Sequence, residues 1–319
     1  MHPSFSVIFF TTASGAGYGL LALIGVGAAV DIVPRSSQFG LSTLGFALAL
    51  VTAGLLSSSL HLGHPERAWR AFSQWRSSWL SREGVAAVLT YLPAGIFAIG
   101  WVVLGRTDGW FGAAGLVGTI MSIVTVLCTA MIYASLKSIH QWSNHWVLPN
   151  YLALAIMTGA LWLNALTHLW GAPKLAISVL SALSIVMASW LKTRYWRFID
   201  TTSSPSTPGT ATGLHSRGTV RFFEGPHTEK NYLLKEMGYR VARKHAARLR
   251  RVVLGAGFGL PLILTLLAVG APTWAYGAAA AVATIAAAVS AMLGVLVERW
   301  LFFAEARHSV TLYYGATRV

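Results

Sequence analysis

The sequence predicts an all-α integral membrane protein, a bundle of eight transmembrane helices with both termini on the cytoplasmic side. Two features of its composition predict this class. Hydrophobic residues make up 55% of the 319 residues, and charged residues make up only 11%. A soluble domain carries about 25% charged residues, so most of this protein's surface must face lipid. The one-sided placement of lysine and arginine then predicts the orientation.

Eight apolar runs are long enough to cross about 30 Å of hydrocarbon, which takes roughly 20 residues each. Helices are expected because a lipid-exposed backbone must satisfy its hydrogen bonds within the segment. The first run is expected to be retained as a span, because no basic segment precedes it and no small-residue cleavage site leads to a soluble domain. Gly15 with Gly19, and Gly255 with Gly259, have the spacing that allows close helix contact. In chain order, the predicted spans cover residues 5–30, 41–62, 83–104, 110–136, 147–169, 175–196, 252–270 and 274–298.

The basic residues are concentrated on one side of the predicted membrane. With eight spans, both termini and the second, fourth and sixth loops share one side, which we call side A. All of the 24 lysine and arginine residues fall on side A except Arg35, Arg106 and Lys174. The positive-inside rule therefore places side A in the cytoplasm and predicts a multi-pass protein of the cell inner (cytoplasmic) membrane.

Residues 192–251 form a predicted long basic cytoplasmic loop, the only sizeable segment outside the bilayer. Its stretch at 201–213 is low in complexity and typical of a flexible linker, whereas 231–251 is basic and partly helical in pattern. Two interpretations of the basic strip stay open: contact with anionic lipid headgroups or solvent, and docking of a soluble partner. Nucleic-acid binding is not expected, because the positive charge is next to the membrane and no recognition motif accompanies it.

Cofactor chemistry on this chain is restricted by its residue content. The single cysteine, Cys128, lies within an apolar run and excludes disulfide frameworks, cysteine-ligated iron-sulfur clusters and covalent haem attachment. None of the ten histidines lies deep within a predicted span, which argues against haem held between helices. Buried polar groups near the membrane midplane, which a transporter requires, are not expected either. Any redox metal must then belong to a partner chain.

One cluster on side A has the residues for proton chemistry. His61 ends the second predicted span and Glu83 begins the third, so both are expected at the same membrane depth. Reduction of a quinone moves two protons with two electrons, and a histidine paired with a carboxylate suits that task. Trp69, Trp75 and Trp79 are candidates for the walls of a ring pocket, or for an interfacial aromatic belt. As alternatives, His61 caps a helix and Glu83 complements a helix dipole.

Four segments in order along the chain resemble the anchor subunit family of dimethyl sulfoxide reductase, the haem-free membrane subunits of molybdenum oxidoreductase complexes. The most specific is the block that runs from His61 through Glu83. The four segments are HPSFSVIFFTTASGAGYG, HLGHPERAWRAFSQWRSSWLSREG, YASLKSIHQWSNHWVLPNY and LVERWLFFAEARH.

This resemblance implies that the chain anchors an iron-sulfur subunit and a molybdopterin catalytic subunit on the cytoplasmic face and exchanges electrons with ubiquinone or menaquinone. It implies His61 and Glu83 as the catalytic residues at the quinone site. Arg67 matches an arginine after the motif proline, and Tyr133 and Arg299 match weaker motif positions. Residues 192–251 are longer than the corresponding loop expected in the family. With Trp79 as a pocket wall, the predicted quinone-binding residues are His61, Arg67, Trp79, Glu83, Tyr133 and Arg299.

The predicted orientation distinguishes relatives within this family. Exported reductases present their soluble subunits outside the cell, whereas the membrane subunit of cytoplasmic sulfite dehydrogenase presents them inside. We therefore expect electrons from cytoplasmic sulfite oxidation to reach a quinone near His61. The alternatives are a quinol-oxidising anchor of a dimethyl sulfoxide or tetrathionate-type reductase, and a passive anchor without a quinone site.

Overall fold

The protein is an all-helical bundle in the part of the chain that the structure describes. The computed structural model describes residues 4–60, 64–221, 223–224, 237, 241–270, 277–317 and 319, with the side chains of 241–244 and 270 excepted. Eight helices in these ranges are long and apolar enough to cross a membrane, which confirms the predicted fold class and number of spans. They are α1 (Phe5–Ala29), α2 (Ser37–Ser59), α3 (Trp79–Val103), α4 (Gly109–Ala134), α5 (Val147–Leu169), α6 (Leu175–Thr201), α7 (His245–Val269) and α8 (Ala278–Ala304).

Helix α1 is the centre of the bundle and packs against α2, α4, α5 and α8. Gly19 and Gly159 make the contact between α1 and α5, where a side chain at either position would overlap the facing backbone. Between α7 and α8 the close approach is made by Gly257 against Gly294, and not by Gly255 or Gly259. The residues at 253–259 form a π-helical stretch, whose changed periodicity turns Gly257 toward α8.

The two ends of the chain lie at the same end of the bundle. The Ser57 hydroxyl at the end of α2 donates a hydrogen bond to the carbonyl of Ser6 at the start of α1, at 3.1 Å. After α8, His308 pairs with Ile139 in the connection between α4 and α5 through an isolated β-bridge. This shared end is side A of the sequence analysis, and its exposure to the cytoplasm stays a prediction.

Several predicted span limits differ from the helix ends, and the largest differences lie at side A. Helix α7 begins at His245, before the predicted limit of 252. Helix α3 begins at Trp79, so Glu83 is one turn inside the helix instead of at its start. Helices α6 and α8 continue to Thr201 and Ala304, beyond the predicted limits of 196 and 298. Hydropathy counting ends a span at a charged residue, whereas here Glu83, Glu298 and Arg299 are buried within the bundle.

The predicted loop at 192–251 is correspondingly shorter at both ends. It begins after Thr201, and the helical residues Val241–Val252 include the start of α7. Part of the predicted flexible linker is also ordered, because Pro208–Thr212 forms a helical turn capped by the Thr207 side chain. Residues 225–236 and 238–240 of the loop lie outside the described residues.

Candidate functional site

A large cavity opens at side A between α1, α2, α3, α4 and the segment that connects α2 to α3. Its volume is about 600 Å³, within the range of small-molecule sites. Most of its lining is apolar. The polar and charged residues in its lining are Ser58, Ser59, His64, Arg67, Glu83 and Tyr133.

The start of α3 holds the connecting segment over this cavity. Pro65–Gln74 forms a 3₁₀ helix with an exposed surface. The Ser81 hydroxyl donates a hydrogen bond to the Ala71 carbonyl, and the Arg82 guanidinium donates to the Trp75 carbonyl at 3.0 Å. These bonds fix the arginine-rich segment as one wall of the cavity.

Glu83 is the buried carboxyl of the cavity, with 4% of its surface exposed. The Thr129 hydroxyl of α4 donates a hydrogen bond to Glu83 Oε1. Among the described residues, Glu83 makes no salt bridge with lysine, arginine or histidine. A carboxyl held out of water without a cation is costly, and in a membrane protein such a group marks a functional site.

Arg67 and Tyr133 line the same cavity as Glu83, as the sequence predicts for a common site. Arg67 lies at the exposed rim, where its guanidinium is 3.7 Å from Glu66 Oε1. Tyr133 is buried near the end of α4. His61 lies outside the described residues.

The predicted pocket wall of tryptophans is not found in the cavity lining. Trp69 and Trp75 are exposed, with the neighbouring arginines at 5.7 and 5.4 Å from their ring centroids. Trp79 is half-buried in the first turn of α3, with the Arg82 guanidinium 4.3 Å from its centroid. This placement agrees with the alternative interpretation, an aromatic belt at the membrane interface.

His64 and Phe72 are among the lining residues that the sequence analysis does not single out as site residues. His64 lies at the rim, where its Nδ1 is 3.0 Å from Glu66 Oε1. Phe72 covers Gly84, where an added Cβ would be only 3.1 Å from the Phe72 ring. Both belong to the motif at residues 61–83. Whether they face the cavity depends on the conformation of the 3₁₀ helix, which the sequence alone does not specify.

A second buried group of charges lies deeper in the same half of the bundle. Lys192 of α6 pairs with Glu298 of α8, and each side chain is only 1% exposed. The Arg299 guanidinium is 3.4 Å from the other oxygen of Glu298. This pair is not singled out in the sequence analysis: Lys192 falls where the predicted sixth span and the predicted loop overlap, and Glu298 ends the predicted eighth span. The aromatic residues Tyr195 and Trp196 beyond Lys192 indicate that the membrane interface comes later.

Arg299 is connected to the cavity through two stacked rings instead of lining it. Its guanidinium lies 3.6 Å from the centroid of the Tyr151 ring. The Tyr151 ring stacks on that of Tyr133, with centroids 5.9 Å apart and planes inclined by 22°. Tyr133 faces the cavity, so Arg299 positions one of its walls from behind.

The helical bundle is that of a multi-pass membrane protein, and its cavity with the buried Glu83 carboxyl is a candidate site at one end. The chain belongs to the family of DMSO reductase anchor subunits: the family model described as "DMSO reductase anchor subunit (DmsC)" matches residues 1–207. The family expected from the sequence motifs is therefore confirmed. The matched range includes Arg67, Glu83 and Tyr133, whereas Arg299 lies beyond it.

Two curated relatives are similar to this chain to different extents. The C subunit of sulfite dehydrogenase from Allochromatium vinosum is 34% identical over 331 aligned residues, which cover 98% of this chain and 99% of the relative. The C polypeptide of anaerobic dimethyl sulfoxide reductase from Escherichia coli is 26% identical over 140 residues, which cover 43% of this chain and 48% of the relative. Similarity to the first relative therefore extends through α7 and α8.

Proposed function

We propose that this chain is the quinone-reactive membrane anchor of a molybdopterin and iron-sulfur oxidoreductase, and that it passes electrons from cytoplasmic sulfite oxidation to the quinone pool. The observation that carries this proposal is the buried Glu83 carboxyl in the wall of a cavity of about 600 Å³. A carboxyl in that position is available to a reacting ring and protected from bulk water.

The walls of the cavity suit a lipid-soluble ring. Leu80 and Val88 line the cavity from α3 and are also 56% and 57% exposed on the bundle surface. In a bilayer these side chains face acyl chains, so a ring with an apolar tail would enter from the lipid between α2 and α3. Both ubiquinone and menaquinone have the two carbonyl oxygens that this site would address.

The residues of the cavity would supply protons and charge to the two carbonyl oxygens. Reduction of one quinone consumes two electrons and two protons, and Glu83 would donate one proton to the nearer oxygen. His61 is proposed as the second proton donor. Ser59 and His64, which lie on either side of His61 in the sequence, both line the cavity and support this assignment. The Arg67 guanidinium at the rim would stabilise negative charge that develops on the ring.

The iron-sulfur and molybdopterin subunits are proposed to dock on side A. The exposed arginines of the connecting segment, Arg67, Arg70 and Arg76, form a basic surface over the cavity. A partner bound there would bring its electron carrier close to the ring. The basic residues at the start of α7 add positive charge at the same end. This charge favours docking of a partner in addition to contact with anionic lipid.

Two observations favour sulfite oxidation over an exported reductase. The similarity to the sulfite dehydrogenase relative extends over nearly the whole chain, whereas that to the dimethyl sulfoxide reductase relative extends over 43% of it. The concentration of basic residues at side A supports a cytoplasmic location for that side and hence for the soluble subunits. A quinol-oxidising anchor is the second candidate, in which quinol would be oxidised in the same cavity.

The substitution Glu83→Gln in the complete complex tests the quinone site. We expect sulfite-driven quinone reduction to fall about a hundredfold or more, because general acid catalysis contributes at least about 10². Sulfite-driven reduction of a soluble electron acceptor should persist, since the partner subunits stay bound. Asp108→Asn, at the exposed opposite end, is the control variant.

Two outcomes would contradict the proposal. Undiminished quinone reduction would show that the site is elsewhere. Loss of the soluble subunits from the membrane, with both activities falling together, would favour a passive anchor.

The single cysteine allows a test of orientation. In a Cys128→Ser background, cysteine introduced at Ser204 of side A should resist a membrane-impermeant thiol reagent in intact cells. Cysteine introduced at Thr107, at the opposite end, should react once the outer envelope is permeabilised. The reverse pattern would place side A outside and favour the exported type of reductase.

A further inference from the structure

A small polar chamber lies behind Glu83, in the middle of the bundle. It is formed where α1, α4, α5 and α8 meet, and its volume of about 10 Å³ is near that required by one water molecule. Its lining includes Thr12, Thr129, Tyr151 and Arg299, together with Gly15, which contributes no side chain. The chamber is separate from the large cavity, and Thr129 connects the two because its hydroxyl also contacts Glu83.

Several buried polar atoms around this chamber have no hydrogen-bond partner among the described residues. They are Thr12 Oγ1, Tyr18 Oη, Tyr151 Oη and Arg299 Nε. Outside the lining, Glu298 Oε2 lies 3.4 Å from the Arg299 guanidinium and has no hydrogen-bond partner among the described residues either. Buried polar groups in folded proteins are almost always satisfied by protein or by ordered water. A chamber of this size with several unsatisfied donors and acceptors is a site for internal water.

This inference rests on the proposed function, in which the Glu83 carboxylate must regain a proton after each turnover. Once a ring fills the large cavity, water no longer reaches Glu83 from that side. Each turnover nevertheless removes a proton from its carboxyl, and the proton must be replaced before the next. The other contact of Glu83 is the Thr129 hydroxyl, which leads to the chamber.

We propose that water in the chamber relays protons between the Lys192–Glu298 pair and Glu83. Glu83 gives a proton to a quinone carbonyl oxygen, while the electrons come from the iron-sulfur partner. The Thr129 hydroxyl then passes a proton to the Glu83 carboxylate and takes one from chamber water. That water is reprotonated from Glu298, which receives its proton from the Lys192 ammonium beside it. Lys192 regains a proton from side A, so one proton enters for each one that leaves.

Arg299 positions groups of the relay and keeps its own positive charge throughout. A guanidinium stays protonated under all physiological conditions, so it cannot carry the proton. Arg299 lines the chamber, and its guanidinium lies against both the Glu298 carboxylate and the Tyr151 ring. Arg299 is therefore a positioning residue for the relay.

Conservative variants in the complete complex test this relay. Thr129→Val and Tyr151→Phe remove one hydroxyl each with little change of shape, and Thr129→Ser keeps the hydroxyl. Thr284→Val is the matched control, because Thr284 is a buried threonine of α8 whose hydroxyl donates to its own helix at Ala280. For each variant, sulfite-driven quinone reduction is measured against pH and in light and heavy water.

We expect Thr129→Val to lower kcat about fivefold or more, the scale of one lost hydrogen bond. The solvent isotope effect should rise, because proton delivery becomes rate-limiting. Tyr151→Phe should change both quantities in the same direction, and Thr129→Ser and Thr284→Val should leave them near wild type.

The outcomes separate the relay from the quinone site. If Glu83→Gln abolishes quinone reduction while Thr129→Val and Tyr151→Phe keep wild-type kcat and isotope effect, the relay is wrong and the quinone site stands. A raised KM with unchanged kcat and isotope effect would also overturn the relay, because Thr129 would then only position Glu83. If Glu83→Gln itself has no effect, the proposed function fails first.

Discussion

Glu83 and Glu298 are both carboxyls held out of water within membrane-spanning helices, yet their surroundings are opposite. Glu298 lies between two cations, Lys192 and Arg299, in a tightly packed part of the bundle. Among the described residues, the side chain of Glu83 receives one neutral hydrogen bond, from Thr129, and it faces a cavity of about 600 Å³. The charge of Glu298 is thus compensated by neighbouring cations, whereas the Glu83 carboxyl is accessible from the cavity.

This difference separates a carboxyl that is compensated within an ion pair from one that faces a cavity without a cation among the described residues. A buried ion pair offsets the desolvation of each partner, so removal of one partner leaves an uncompensated charge. A carboxyl with no cation gains little from its surroundings and can be replaced without that penalty. Substitutions in the Glu298 ion pair should therefore lower stability, whereas substitutions at Glu83 should lower activity with little change of stability.

The largest expected effect is that of Lys192→Met on stability. It leaves Glu298 buried with only the more distant Arg299, and breaking such a pair costs about 3 to 5 kcal/mol. Thermal unfolding of the purified protein in detergent, followed by circular dichroism, measures the loss. The double variant Lys192→Met with Glu298→Met should recover most of it. Equal melting of the single variant and wild type would show that the pair is not ionised.

Glu83→Leu should have the opposite profile. Its stability should stay within about 1 kcal/mol of wild type, since an apolar side chain replaces a weakly bonded polar one. The Thr129 hydroxyl keeps a partner, because it also lies 3.1 Å from the Thr125 carbonyl. Quinone reduction should nevertheless be lost. Melting at a much lower temperature would mean that Glu83, like Glu298, holds the helices together.

Arg299→Lys is expected to have an intermediate effect. Lysine keeps the charge beside Glu298 but loses the planar stack on Tyr151, which is worth about 2 kcal/mol when desolvated. The unfolding temperature should fall by less than in Lys192→Met, and quinone reduction should fall through the displaced ring of Tyr133. An unchanged variant would indicate that charge alone matters at this position.

The smallest effect is expected at an exposed ion pair at the opposite end. Asp31 pairs with Arg35 at 2.7 Å, and both side chains are mostly exposed. Asp31→Asn should change stability by less than about 1 kcal/mol. Asparagine also tolerates the positive φ of 58° found at this residue. A large destabilisation in the same unfolding assay would show that the exposure of an ion pair does not indicate its contribution to stability.

The helices could be predicted from the sequence because the bilayer imposes length and apolarity on every span. Glu83, Arg67 and Tyr133 could be placed near one another because motif positions at successive helix ends meet at one side of the membrane. Lys192 could not be placed, since pairing with a residue 106 positions away is invisible to a count of local hydropathy. The position of Arg299 behind Tyr151 depends on side-chain stacking, which no spacing rule specifies. His61, predicted at the quinone site, stays a prediction.

The pairing of Lys192 with Glu298 also bears on how the protein is made. A lone lysine or glutamate costs about 2.5 to 3.5 kcal/mol on insertion at the centre of a helix in the membrane. The two residues are 106 positions apart, so at about 5 to 20 residues per second Lys192 is synthesised roughly 5 to 20 s before its partner. During that interval, α6 must wait at the membrane interface or beside the insertion machinery. The packing of α6 against α8 through this ion pair can therefore form only after the last helix has been synthesised.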